Sequence, residues 1–370
     1  MERRYYLDLA HSGLKMPIGT DLVLHEHADH EQIVADGESL GRLLAEAAAR
    51  YHTPLAFPVM NLELEKLHLL DLLELGGTDP ATFHFEAAPG PETVQRLRQR
   101  LSGPVSDHMQ AVCGALEYLS QHTFLVPVGM CIGPFSLMTK LLSDPITPIA
   151  MAGMGMTASE EPGIATVERV LEISTMAIER YIKAQIAAGA KAIFICEPAA
   201  NAVYLSPRQI EKGSDIFEHF VMRHLLRIKH LLLENDVDLL FHDCGELTDG
   251  MVEQFARLDP ALLSMGSSRK LWEDAQLLPR DIVLFGNLPS KRFYSDSEIT
   301  VAEVRRMGEE LVERMREMGH PFILGSECDV LSVPGCEATL RNKALAIVNC
   351  CREHDSHPEY AGESVAAATT

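Results

Sequence analysis

A chain of 370 residues, 46% hydrophobic and 23% charged, has a globular composition and enough length for a sizeable core, as one large α/β domain or two smaller ones. Its 53 acidic residues against 32 basic ones give a net charge of −21, and no Lys/Arg cluster is present, which excludes non-specific nucleic-acid binding. No apolar run of about 18 residues is present and Met1–Tyr6 lacks a signal-peptide core, so no membrane span is expected and a cytoplasmic protein is.

The first 50 residues, with a helical stretch over Glu38–Tyr51, read as an N-terminal extension or lid. Within them, His25-Glu26-His27-Ala28-Asp29-His30 gathers imidazoles and carboxylates but follows no strand and has no soft ligand. A solvated loop is expected there, or a flap over a site.

From residue 51 onward, short apolar runs alternate with longer amphipathic segments. The pattern predicts strands at Leu55–Met60, Phe124–Met130, Ala192–Cys196, Val237–His242, Ala261–Met265, Asp281–Phe285 and Pro321–Leu324. Helices are expected over Ile164–Ala188, with Gly189 as its cap, and over Ile216–Glu234 and Val301–Met318. Met151-Ala152-Gly153-Met154-Gly155-Met156 reads as a gap-filling loop or an adaptable apolar rim.

Such β-α alternation over roughly 300 residues implies a parallel sheet with helical crossovers. No Gly-x-Gly-x-x-Gly turn follows a strand, which weakens an open dinucleotide-binding sheet. The expected fold is α/β, a (β/α)8 TIM barrel over residues 51–355. Residues 356–370, ending Ala366-Ala367-Ala368-Thr369-Thr370, form a tail expected to fray.

Reactive polar residues collect where the predicted strands end, which in a β/α barrel is where active sites form. Asn61 and Glu63 follow the first run, Glu197 the third, and His242-Asp243-Cys244 the fourth. Asn287 follows the sixth, and Glu327-Cys328 the last. His242 and Cys244 stand at i, i+2 and share one side of the strand, with Asp243 on the other. The eight cysteines form no local CxxC pair, and most are expected to be small buried hydrophobes, Cys350-Cys351 included. Cys328, from a later strand end, can approach His242 and Cys244 across the barrel mouth. One imidazole and two thiolates suit Zn²⁺, and three protein ligands leave a fourth position open. A hydrogen-bonded core histidine with two buried cysteines is the plainer alternative.

Leu240-Phe241-His242-Asp243-Cys244-Gly245 with the later Cys328 resembles the His-x-Cys…Cys zinc motif of the cobamide-dependent methyltransferases, within the uroporphyrinogen decarboxylase superfamily. Gly129–Leu137, Gly189–Ile193, Leu205-Ser206-Pro207 and Leu284–Leu288 are similar to superfamily segments and stand in the same order. The resemblance covers roughly residues 50–350. It implies a barrel with its site in the mouth and zinc on His242, Cys244 and Cys328.

The resemblance also implies a methyl group moved between a corrinoid and a small substrate, a thiol among the candidates. No Asp-x-His-x-x-Gly corrinoid signature is present, so the corrinoid is expected on a partner protein or free in solution. Glu197 is expected to act in the mouth, as a fourth ligand or proton donor, with Glu246 and Glu327 competing for that role. Asn61, Glu63 and Asn287 are expected substrate contacts. The decarboxylase branch's Met-Arg-Gln-Ala-Gly-Arg loop has no counterpart in residues 1–60. The alternatives are a metal-free decarboxylase or lyase of the superfamily and a non-enzymatic binding member. The direction of transfer is left open, as is a homodimer.

Overall fold

The computed structural model describes residues 3–75 and 79–351. Eight strands make up its sheet: β1 (Lys15–Met16), β2 (Leu55–Ala56), β3 (Val126–Ile132), β4 (Ala192–Cys196), β5 (Asp238–Asp243), β6 (Leu262–Met265), β7 (Val283–Leu288) and β8 (Phe322–Ser326). All neighbours pair in parallel, in the order β1-β8-β7-β6-β5-β4-β3-β2. Helices lie between them, giving a curled (β/α)8 barrel as expected.

The period-two alternation of each strand divides the core. Met16, Leu55, Val128, Phe194, Leu240, Leu262, Val283 and Ile323, one from each strand, meet in a single interior cluster. Their neighbours Cys131, Ile193, Ile195, Leu239, Phe241, Leu263, Leu284 and Leu324 face outward into the layer of helices. That parity decides which strand-end residues reach the mouth.

The stretch expected as an extension also contributes to the barrel itself. It supplies β1, which pairs with β8, and the helix Arg3–His11. Tyr6 from that helix is fully buried in the interior cluster, its hydroxyl 3.0 Å from Asp238 Oδ2 at the start of β5. Arg3 donates to the carbonyls of Asp259 and Pro260, ahead of β6, so the helix closes the N-terminal end of the barrel. A two-residue strand carries no legible alternation, which is why β1 escapes a sequence reading. The helix Gly37–Arg50 starts where Asp36 accepts from Ser39 N, and it packs on the helix Asp107–His122.

The long predicted helices are present as Pro162–Ala187 and Val301–Met318, the latter opened by a Thr300/Glu303 capping box. The stretch Ile216–Glu234 divides into a π-turn, Glu218–Met222, and the helix Arg223–Glu234. Met151–Gly153 ends the helix Ile146–Gly153, leaving Met154 exposed. The expected tail, 356–370, lies outside the described residues.

Buried acids set a pH dependence, Glu65 among them. Glu65, on the helix Leu64–Leu72, accepts from Ile132 N through Oε1, while the buried Oε2 has no partner among the described residues. Burial pushes its carboxyl up to about 8. The unfolded chain ionises at a lower pH than the folded one, so stability falls as pH rises from the ordinary glutamate range through about 8. The loss from this group is on the order of 5 kcal/mol. Chemical denaturation from pH 5 to 9 should show it, and Glu65→Gln should reduce that slope. An unchanged slope in the variant would remove Glu65 as its source.

Candidate metal centre

On β5, Leu240 and His242 face the barrel interior, whereas Phe241 and Asp243 face the helices. His242 is buried, and its ring lies 5.6 Å from that of Phe194. Strand register sets His242 opposite Ser264 on β6, and Nδ1 lies 2.9 Å from the Ser264 hydroxyl. Nε2 is buried with no partner among the described residues. A buried polar atom left unpaired costs about 1–3 kcal/mol, which a ligand role for Nε2 would offset.

Cys244 and Cys328, both half-buried, complete the group. The ligand atoms of His242, Cys244 and Cys328 all lie within 4.8 Å of one another. Bonds of about 2.0–2.3 Å to one tetrahedral ion place ligand atoms roughly 3.4–3.8 Å apart. The donor set and the unpartnered Nε2 therefore both fit a soft divalent cation. Among the described residues, this is the sole cluster of three or more such ligands.

Electrostatics of the pair point the same way. The neighbouring Cys328 thiol holds the Cys244 thiol well below the ordinary thiol range, with His242 and Lys291 adding to the effect. In return, the proximity of Cys244, together with burial, pushes Cys328 up. A bound divalent cation would hold both sulfurs as thiolates. Around them, Cys328 Sγ lies 3.7 Å from Met60 Sδ, and Gly266 packs against the Cys244 backbone. A Cβ at Gly266 would come within 2.8 Å of the Cys244 carbonyl oxygen, so only glycine fits there.

The other expected site residues are placed differently. Glu197 carries the outward parity of Ile193 and Ile195, while Cys196 carries the inward one. Its carboxylate is fully buried and accepts from Phe135 N at 3.2 Å and Ser136 N at 2.6 Å, in the first turn of the helix Pro134–Lys140. Burial pushes it up to about 7 against the pull of those hydrogen bonds. A strand-end position brings Glu197 near the rim, but the pleat turns it into the helical layer, so it is no member of the ligand cluster.

Asn287 is buried, and its Nδ2 donates to the carbonyls of Gly266 and Arg269, tying down the loop that abuts Cys244. Asn61 accepts from Glu63 N and lines a cavity of about 260 Å³ with His25, His30 and His108. Glu63 is exposed and pairs with Lys140, in a different cavity from Asn61. Glu246 is exposed, whereas Glu327 is buried and accepts from Ser267 N at 2.9 Å. His25 and His30 approach each other, with ring centroids 4.9 Å apart, but join no ligand cluster.

Three neighbours of the centre have no signal in the sequence reading: Ser264, Met60 and Lys291. Ser264 is findable by aligning the predicted strands β5 and β6 in parallel register. Met60 and Lys291 arrive through loops, where no period fixes direction.

The family model for uroporphyrinogen decarboxylase (URO-D) matches residues 79–339. No curated protein matches the chain by sequence. Among solved structures, a methyltransferase from Methanosarcina mazei superposes with a TM-score of 0.59 at 17% identity, covering 90% of this chain and 93% of that one. At that identity the likeness concerns the fold. The apo form of a 3-keto-D-glucoside 4-epimerase from E. coli reaches a TM-score of 0.36 at 13% identity, covering 64% and 84%, too low to support an argument. No described helix is long and apolar enough to cross a membrane.

Proposed function

The chain belongs to the uroporphyrinogen decarboxylase (URO-D) family, and within that family we propose that it is a zinc-dependent methyltransferase. It moves a methyl group between a corrinoid carried by a partner protein and a small substrate, with thiols as the first class to test. The observation that carries this reading is the His242–Cys244–Cys328 cluster at the C-terminal ends of β5 and β8. A metal-free decarboxylase or lyase has no use for two sulfurs and an unpartnered imidazole nitrogen converging in the mouth. The name of the Methanosarcina mazei protein supports the methyltransferase class.

Zinc held by these three residues would supply a Lewis-acid position at which a thiol loses its proton. The protein's own contribution is to orient the donors and shape their surroundings. The Ser264 hydroxyl holds Nδ1 of His242, which leaves Nε2 directed at the cluster. Asn287 anchors the Gly266–Arg269 loop, and Gly266 in turn fixes the Cys244 backbone. Phe194 packs against the His242 ring, and Met60 packs against Cys328, so apolar groups keep water from two sides of the cluster. The methyl carrier is assigned to a partner as part of this proposal.

The test is a methyl-transfer assay on the zinc-loaded protein, using methylcobalamin with a panel of thiols and with tetrahydrofolate. Thiol-dependent demethylation of the cobalamin is the expected result. Absence of transfer to every acceptor, with zinc bound at one per chain, would reject the reading.

A further inference from the structure

Lys291 occupies a position that the ligand cluster alone does not explain. The chain leaves β7 at Leu288 and enters a short 3-10 turn, Ser290–Arg292. Ser290 Oγ donates to the Cys328 carbonyl at 3.1 Å, which fastens the turn to one sulfur-bearing loop. Lys291 Nζ donates to the Cys244 carbonyl at 3.4 Å, which reaches the other. Lys291 therefore spans the two segments that deliver Cys244 and Cys328.

Its surroundings leave the ammonium directed at the centre. Glu327 Oε2 lies 4.0 Å away, but that carboxylate also accepts the backbone N–H of Ser267 and of Lys291 itself. About half of the Lys291 side chain is exposed, so the group stands at the open side of the cluster rather than inside the core. Arg269, the nearest guanidinium along the β6 loop, is engaged by Asp249 and Asp274.

Charge counting gives the position a purpose. A divalent cation on one neutral imidazole and two thiolates is neutral, and an anionic fourth ligand makes the centre carry one negative charge. An ammonium held against the Cys244 segment favours that state, an effect that the exposure of about half the side chain reduces. We propose that Lys291 is a positioning residue of the metal centre, one whose ammonium, held on the Cys244 carbonyl, offsets the charge of an anionic fourth ligand. This rests on the zinc reading above and assigns a task to a residue outside the ligand set.

The experiment uses the full-length wild-type protein, Lys291→Met and Lys291→Arg, each loaded with one equivalent of Co²⁺ and titrated with 2-mercaptoethanol. The thiolate-to-cobalt absorption band reads the electron density on the cysteine sulfurs, and its change on titration reads affinity for the incoming thiolate. Lys291→Met should bind cobalt stoichiometrically, move the band to longer wavelength, and weaken 2-mercaptoethanol binding about tenfold. Lys291→Arg, which keeps the charge, should restore most of both effects. Unmoved bands and equal thiol affinities in wild type and Lys291→Met would overturn the proposal, even if the variant melted earlier. Failure of the wild-type protein to bind cobalt would instead overturn the metal reading on which it rests.

Discussion

Cys244→Ala and Cys328→Ala should each eliminate stoichiometric zinc and methyl transfer together while leaving a folded barrel. Removing one of three protein ligands takes away much of the binding energy of a small site. A half-buried cysteine replaced by alanine loses one sulfur's contacts, roughly 1 kcal/mol, against a barrel core assembled from all eight strands. Zinc content should fall from about one per chain to near zero, with methyl transfer at background and circular dichroism unchanged. Full zinc retention in both variants would show that the site is elsewhere.

The second large effect concerns stability rather than chemistry. Glu197→Ala is expected to destabilise the protein by roughly 3–5 kcal/mol, because it orphans two buried N–H groups and leaves a void. Those donors belong to Phe135 and Ser136, in the first turn of the helix Pro134–Lys140, where a carboxylate also meets the positive end of the helix dipole. Gly133 admits the carboxylate so closely that a Cβ there would lie 2.2 Å from Oε2. Glu197→Gln keeps one acceptor oxygen and should cost roughly 1–2 kcal/mol. Urea denaturation separates the two variants, and turnover per folded molecule should stay close to wild type in Glu197→Gln. A sharp loss of turnover in the glutamine variant, with stability intact, would return Glu197 to the chemistry.

Much of the barrel is legible because its strands are short, mostly apolar and punctuated. Ala192–Cys196 is buried at every position, and both bounds of β4 agree with the sequence pattern. The pattern predicts Leu55–Met60, but only Leu55–Ala56 pairs, and Pro58 brings no N–H with which to extend the ladder. β7 runs on to Leu288, past the predicted end at Phe285. β1 is too short to show a period at all.

The same reasoning explains the site. His242 and Cys244 are legible because a spacing of two fixes a common side, and Cys328 follows from the last strand end. For Glu197, a strand-end position says nothing of parity. The alternation that separates Asp243 from His242 also separates Glu197 from Cys196. Lys291 is invisible to such rules, since a lysine in a loop has no preferred direction until the turn around Ser290 is fixed to Cys328.

The central claim, that His242, Cys244 and Cys328 form a zinc centre, is tested most directly by zinc K-edge X-ray absorption on the purified full-length protein. The account predicts one zinc per chain, with two sulfur scatterers at about 2.3 Å and an imidazole nitrogen at about 2.0 Å. A light-atom position completes the shell until a thiol adds a third sulfur. A first shell of nitrogen and oxygen alone, or a protein that retains no zinc after supplementation, would contradict it.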